Sequence, residues 1–260
     1  MQIEQACVLA HAGMAAGYRT IELASPGIAH AVQPGQFVHA RIPRLEGATL
    51  RRPFSVCRAD GDSIHILYKE VGRGTTFMTY LRPGDVIDLV GPLGHGFPAA
   101  RAGTLPTLVA GGYGVAPLLF LASRLPSKGI AFVGAATADD LLCVQDFERL
   151  GWPVRVATDD GSTGVKGFVT NALDAWLADR SGGPAPEFFA CGPDGMLKAV
   201  AARAAPLGAN AWLSLDKHMG CGVGACLACV QKIRQADGAV QWLRVCREGP
   251  VFESRTIVWE

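Results

Sequence analysis

The sequence predicts a small antiparallel β-barrel, then a doubly wound α/β parallel sheet, then a short cysteine-rich C-terminal module. Three observations carry that prediction. Residues 1–99 alternate short β-rich runs with turn signals: Gln36–Ile42, Phe54–Cys57, Ser63–Lys69 and Val86–Val90, separated by Pro34-Gly35, Asp60-Gly61-Asp62 and Pro83-Gly84-Asp85. Short strands at that spacing suit a small barrel. From Leu105 the grammar changes. Apolar strands Thr107–Ala110, Ile130–Gly134, Val154–Thr158 and Phe188–Cys191 alternate with helical patterns at Ala116–Leu125, Asp139–Leu150, Gly167–Leu177 and Asp194–Ala205. Strand-helix alternation with glycines at the strand ends reads as a parallel sheet covered on both faces. Beyond Ser214 helix signals thin out and cysteines gather. The expected units are 1–99, 100–214 and 215–260.

Composition excludes several function classes. Lys plus Arg number 24 against 23 Asp plus Glu, a formal charge of +1, and no basic stripe interleaves with aromatics, so nucleic acid is a poor partner. The start, MQIEQACVLAHAG, lacks the charged, apolar and small-residue order of a signal peptide. The uncharged run Thr104–Ser123 is long enough to suggest a membrane span. Three glycines and two prolines interrupt it, and a strand, a Gly-rich turn and a buried helix account for it better. The expectation is a cytoplasmic protein without a membrane segment. Eight cysteines in such a chain point to metal binding or catalysis rather than disulfides. Cys7, Cys57 and Cys143 sit in apolar contexts as small core residues.

The C-terminal four are spaced Cys221-x4-Cys226-x2-Cys229, then sixteen residues to Cys246. A tetrahedral zinc site usually takes two CxxC pairs, and only Cys226/Cys229 makes one. A run of x4 then x2 with a distant fourth cysteine is the plant-type [2Fe–2S] spacing. Gly220, Gly222 and Gly224 let the backbone pass close to inorganic sulfides, with N–H groups available to bond them. Zinc or a reactive thiol group are the alternatives. A cluster of this kind moves one electron at a time, so the rest of the chain has to supply a donor or acceptor.

Five further motifs are weak singly. Arg52-Pro53-Phe54-Ser55 opens a barrel strand, with a solvated arginine as the plain alternative. Tyr68-Lys69 and Gly72-Arg73-Gly74-Thr75 follow, the second leading into a helix-like FMTYL where backbone N–H groups suit a pyrophosphate. GPLGHGF (91–97) closes the barrel half, or is only a linker. Gly111-Gly112-Tyr113-Gly114-Val115 ends a strand and opens a helix, suited to a dinucleotide phosphate, though it is not the GxGxxG fingerprint. Cys191-Gly192-Pro193 also ends a strand, where ligands bind in such sheets.

Taken together and in order, RPFS, the GxGT turn, GPLGxGF, GGxGxAPL and CGPxxML resemble the ferredoxin–NADP reductase superfamily over essentially the whole chain. The appended cysteine segment, with TDDGS (158–162), Lys166-Gly167, Ser214-Leu215-Asp216 and CREGPVF (246–252), resembles the electron-transfer subunits of class 1B dihydroorotate dehydrogenase. The resemblance implies a six-stranded flavin-binding barrel and three cofactors: FAD, a [2Fe–2S] cluster and NAD(H). It places Arg52, Pro53, Phe54 and Ser55 along the flavin, with Ser55 near its N5 edge. Leu67, Tyr68, Lys69, Gly74 and Thr75 would hold the rest of FAD. Gly111, Gly112, Gly114 and Val115 with Cys191, Gly192 and Pro193 would form the NAD(H) side, Cys191 lying near the nicotinamide. Cys221, Cys226, Cys229 and Cys246 would ligate the cluster.

Three departures from that pattern bear on function. Tyr113 stands where a small or β-branched residue is more usual, Asp216 replaces a frequent Glu, and Ala136 stands where relatives often carry Arg. With no basic residue there for a 2′-phosphate, NAD is favoured over NADP. A flavin splits the hydride pair that a one-electron cluster cannot accept. The chain has no substrate-oxidising domain, so the implied partner is an FMN-containing dihydroorotate-oxidising subunit, in a heterotetramer of two relay and two catalytic subunits. The alternatives are a same-cofactor subunit of another complex (sulfite-reductase-like, hydrogenase-linked or ferredoxin:NADP oxidoreductase) and a zinc-bearing binding module.

Overall fold

In the computed structural model, which describes residues 1–43, 47 and 50–259, the first half of the chain closes on itself. The strands β1 (Gln2–Gly13), β2 (Tyr18–Ala24), β3 (Phe37–Arg41), β4 (Arg52–Asp60), β5 (Ser63–Lys69) and β6 (Val86–Leu93) form a barrel in the order β1-β2-β5-β4-β3-β6. Every seam is antiparallel. Alternation along each strand builds the interior. Val38 and Ala40 of β3, Ile64 and Ile66 of β5, and Ile87 and Leu89 of β6 are fully buried inside. The intervening β3 residues, Phe37 and His39, are buried from outside by the second half of the molecule. Short helices α1 (Pro26–Ala31) and α2 (Arg73–Met78) connect strands. Sequence reasoning did not mark β1 and β2. Much of β1 faces solvent and only Ala6 and Val8 are buried along it, so the usual apolar alternation is faint.

The second half is the expected parallel sheet with an unexpected edge. Strands β7 (Leu105–Gly111), β8 (Ile130–Ala135), β9 (Val154–Thr158), β10 (Val165–Lys166), β11 (Pro186–Cys191) and β12 (Ala211–Ser214) run parallel in the order β10-β9-β8-β7-β11-β12. The long uncharged stretch resolves as β7, a glycine turn and α3 (Val115–Arg124). Among the described residues no helix is long and apolar enough to cross a membrane. The helices α3, α4 (Val144–Arg149), α5 (Val169–Asp179) and α6 (Asp194–Ala204) divide between the two faces. Val109, Phe188 and Ala190 pack with α5 and α6, while Leu108, Ala110, Phe189 and Cys191 pack with α3 and α4. That alternation places Cys191 on the α3 face, and α3 itself lies against β4 of the barrel.

Two expected helices are trimmed. The one expected over 139–150 becomes a 3-10 turn at Ala138–Asp140, a left-handed Cys143 (φ +59°) and only then α4. The one expected from Gly167 begins at Val169, because Gly167 has φ +107° and cannot continue a helix.

The cysteine segment is no separate bead. It forms the hairpin β13 (Val230–Arg234)–β14 (Val240–Arg244), then adds β15 (Val251–Glu253) antiparallel to β12 as an edge of the main sheet. Cys229, Ile233, Val245, Cys246 and Phe252 share one core with Phe37 of the barrel and Leu213 of the sheet. GPLGHGF is therefore more than a linker. His95 N–H donates to the Gly249 carbonyl (2.6 Å) and its ring bonds the Arg247 carbonyl (2.8 Å), docking the cysteine segment onto the barrel end.

Candidate redox site

The four C-terminal cysteines fall into two pairs. Around Cys221 and Cys226, the Cys221 N–H donates to Cys226 Sγ (3.4 Å), and the Ala225 and Cys226 N–H groups donate to Cys221 Sγ (3.2 and 3.4 Å). In the other pair, Cys246 N–H donates to Cys229 Sγ (3.4 Å). Among the described residues no three metal-binding side chains converge on one point. One tetrahedral ion would need all four sulfurs together, whereas a two-iron rhomb takes two thiolates at each end. The donor set therefore fits [2Fe–2S] better than zinc.

The electrostatics favour a thiolate at Cys221 and oppose one at Cys246. Burial pushes the Cys221 thiol up, but N–H bonds from Val223, Cys226 and Ala225 outweigh it and bring it down to about 6. Cys246 is pushed up to about 12, by burial first and then by the adjoining Cys229 thiol. Two neighbouring sulfurs do not both ionise readily without a cation, which a bound iron would supply. The loop is held in shape by Arg244. Its Nη1 donates to the Gly224 carbonyl (3.0 Å), while its other guanidinium nitrogens bind Glu248. Gly222 and Gly224 have φ of +70° and +85°, and a Cβ on either would strike His39 or Arg247.

The nucleotide loops also interlock. A Cβ at Gly114 would fall 2.3 Å from the Cys191 carbonyl oxygen, and one at Gly192 3.1 Å from Gly111 Cα. These close approaches bring Gly111, Gly112, Gly114 and Val115 beside Cys191, Gly192 and Pro193, at the carboxyl ends of adjacent strands β7 and β11. Ligands bind there in open α/β sheets, at the point where strand order reverses. Burial pushes the Cys191 thiol up to about 12, so it is a neutral donor and no thiolate nucleophile. Tyr113 is half-exposed and its hydroxyl donates to Asp216 Oδ2 (3.4 Å), tying the nucleotide loop to the start of the cysteine segment.

On the barrel side Arg52 lies over Gly74, whose Cβ would sit 3.1 Å from its Nε, so the RPFS strand and the GxGT turn meet. The Arg52 guanidinium donates only to backbone carbonyls, Leu50 (2.7 Å) and Arg51 (3.3 Å), among the described residues. A cation over a buried glycine backbone suits a pyrophosphate. Pro53 and Ser55 stand opposite His39 and Phe37 across the β3–β4 seam, and Phe54 turns to the edge of Tyr68 (6.1 Å). Thr75 spends its hydroxyl on its own turn, accepting from the Val71 and Gly72 N–H groups (2.9 and 3.1 Å).

Comparison with known proteins settles the family. Residues 216–258 match the model of the iron-sulfur cluster binding domain of dihydroorotate dehydrogenase B. The chain is 42% identical over 250 residues to the dihydroorotate dehydrogenase B (NAD(+)) electron transfer subunit of Geobacillus thermodenitrificans, covering 92% of this chain and 93% of that one. It belongs to this family of electron-transfer subunits. The corresponding subunit of Bacillus cereus strain Q1 is 39% identical over 233 residues, 87% of each chain. A solved NADH-dependent reduced ferredoxin-NADP oxidoreductase superposes with a TM-score of 0.85 at 29% identity, covering 98% of this chain and 90% of that one. A Neisseria gonorrhoeae ferredoxin NADP+ reductase, solved with FAD and NADP, shares the fold at a TM-score of 0.64 and 17% identity, over 80% of this chain and 92% of that one.

In this electron-transfer subunit three residues expected at the flavin also make contacts that tie the barrel together or to the second half of the chain. Lys69 Nζ bonds Asp140 Oδ1 (3.0 Å) and lies 4.4 Å from the centre of the Tyr18 ring. It joins barrel to nucleotide sheet, with Thr137 Oγ1 donating to the other Asp140 oxygen (3.0 Å). Tyr68 is turned inward, its hydroxyl bonded to His11 Nε2 (2.8 Å), while His11 Nδ1 meets the Leu81 carbonyl (3.0 Å). With Nδ1–H donating to Leu81, Nε2 accepts from Tyr68. Leu67 is buried against the nucleotide half. These contacts hold β5 in place. Two residues the motifs did not flag also matter: Asp140, and the buried His39 against the cluster loop. No local pattern announces either, because each acts on a partner distant in sequence.

Proposed function

We propose that this subunit relays electrons from an FMN-containing dihydroorotate-oxidising subunit to NAD+. The two cysteine pairs, set by a loop packed against His39 of β3 and by the turn after β14, carry this reading. When bound, FAD exchanges a hydride with NAD(H) and single electrons with the [2Fe–2S] cluster. The chain's own residues bind, orient and insulate. Cys221, Cys226, Cys229 and Cys246 would hold the cluster as thiolates, and the N–H groups donated to Cys221, Cys226 and Cys229 sulfur would offset negative charge there. Arg52 neutralises pyrophosphate charge over the Gly74 turn, with Thr75 setting that turn. Pro53, Phe54 and Ser55 line the flavin, the Ser55 hydroxyl at its N5 edge, while Leu67, Tyr68 and Lys69 stiffen the strand beside it. Gly111, Gly112, Gly114 and Val115 admit the dinucleotide backbone, and Gly192 and Pro193 shape the opposite wall. The neutral, buried Cys191 thiol excludes water beside the nicotinamide.

Asp159 and Asp160 at the end of β9, with the small Ala136 opposite, favour the ribose hydroxyls of NAD over a 2′-phosphate. The functional units are 1–99, 100–214 and 215–260, the relay assembles with its catalytic partner as a two-plus-two heterotetramer, and the compartment is the cytoplasm. The test is co-expression with the catalytic subunit, followed by anaerobic addition of dihydroorotate and NAD+. Stoichiometric NADH is expected. Recovery with a partner lacking FMN, and no NADH from dihydroorotate, would transfer the relay to another complex.

A further inference from the structure

His39 is a buried polar side chain that the scheme above leaves unused. It lies on β3 with 1% of its surface exposed, and neither ring nitrogen makes a well-formed hydrogen bond among the described residues, although the backbones of Cys221 and Arg51 lie beside the ring. Buried polar groups are almost always bonded, and an orphan calls for an explanation such as a missing ligand. The surroundings say which ligand. A Cβ at Gly222 would fall 2.4 Å from His39 Nδ1 and 2.8 Å from Cε1, so the ring lies directly on the loop between Cys221 and Cys226. Across the barrel seam His39 is paired with Pro53, one pleat from Ser55, and so shares a face with the flavin-lining strand. One side chain therefore touches the cluster loop and stands on the strand system that lines the flavin.

Other features carry less. Glu187 is as deeply buried but fully bonded, by the Arg101 N–H, the Thr104 hydroxyl and the Trp212 indole (2.7, 2.9 and 3.2 Å). Exposed Phe168 and Trp242 have nothing against them that names an occupant.

We propose that His39 is a positioning residue for the iron-sulfur cluster, its ring N–H donating to the sulfur side of the Cys221–Cys226 loop when the cluster is in place. This rests on the four-cysteine ligand assignment. An N–H donated to a ligand sulfur stabilises the more negative, reduced cluster and raises its potential. The glycine at 222 is explained on this view: any side chain there would push the loop off the ring.

The test uses the holo-subunit in complex with its catalytic partner, comparing wild type, His39→Leu, His39→Asn and Gly222→Ala. The readouts are iron and FAD content, the cluster midpoint potential, and the electron paramagnetic resonance spectrum of the reduced cluster. His39→Leu is expected to keep FAD and iron, lower the midpoint potential and shift the g-values. His39→Asn, which returns a donor near the Nδ1 position, is expected to move both back towards wild type. Gly222→Ala, with His39 intact, is expected to lower the potential as well, and it decides the matter if His39→Leu fails to hold iron. Wild-type potential and spectrum in His39→Leu, or in Gly222→Ala, would overturn the proposal. A shift in His39→Leu that His39→Asn does not reverse would reduce His39 to packing, and also overturn it. Failure of the ligand assignment is read separately, as iron retained in a Cys226→Ser variant.

Discussion

Gly114→Ala isolates the nucleotide site by contact alone. Gly114 has φ −59° and ψ −11°, which alanine adopts without strain. The added methyl would fall 2.3 Å from the Cys191 carbonyl oxygen and 2.6 Å from its carbon, against 3.4 Å for ordinary contact. Backbone on both sides cannot rotate away, so the β7 and β11 loops have to part by about 1 Å. Overpacking of this kind costs roughly 1–3 kcal/mol. If it falls on the bound state of the dinucleotide, the KM for NADH rises by roughly five- to 150-fold, at about 1.4 kcal/mol per factor of ten. The barrel and the cysteine loop are untouched, so flavin absorbance and iron content stay at wild-type levels. The assay is NADH-dependent ferricyanide reduction, with cofactor counts on the same sample. An unchanged KM would show that the two loops do not form the nucleotide wall, and loss of FAD would show that the damage is global.

Three further outcomes follow from the same geometry. Cys226→Ser removes one of a thiol pair, so iron and cluster absorbance are lost while the flavin spectrum remains; unchanged cluster absorbance would refute the ligand set. Arg52→Ala removes the cation proposed to meet the FAD phosphates, a contact of a kind worth roughly 1.5–3 kcal/mol, so FAD is expected to dissociate on dialysis that leaves wild type loaded; full retention would refute the role. Asp140→Asn cuts the tie to Lys69, with an expected loss of about 1 kcal/mol in urea unfolding, since both side chains are partly exposed. Its pH dependence has a definite sign. The Lys69 ammonium holds Asp140 below the ordinary carboxylate range, and Asp140 holds Lys69 above the ordinary amine range. The carboxylate's contribution is present above about pH 4 and fades as pH falls through its lowered pKa. The ammonium's is present below about pH 10.4 and fades as pH rises through its raised one. A wild-type advantage over Asp140→Asn that persists unchanged at pH 2 would contradict the pairing.

How much of this was legible in the sequence depended on range. Cys221, Cys226 and Cys229 are read from spacing because they share one loop, and Cys246 because it closes a nearby hairpin. The parallel strands were legible because burial on both faces makes them continuous apolar runs. Strands β1 and β2 were not, since much of β1 faces water and its interior positions are small. The antiparallel β15 edge was hidden too, because pairing with β12 depends on where the cysteine segment turns back. The site shows the same division. Glycine loops declared themselves, while Lys69–Asp140, Tyr68–His11 and His39–Gly222 join residues far apart in sequence. Lys69 and Tyr68 sit in a flavin motif, yet the contacts of their side chains are set by the opposite half of the molecule.

The measurement closest to the central claim is the metal and flavin content of the purified subunit, taken with its visible spectrum and its reduced-state electron paramagnetic resonance. The two-pair cysteine site predicts iron and acid-labile sulfide in equal amounts, half as much FAD, and a rhombic signal on reduction by NADH. Zinc without iron, or a protein without flavin absorbance, would contradict it.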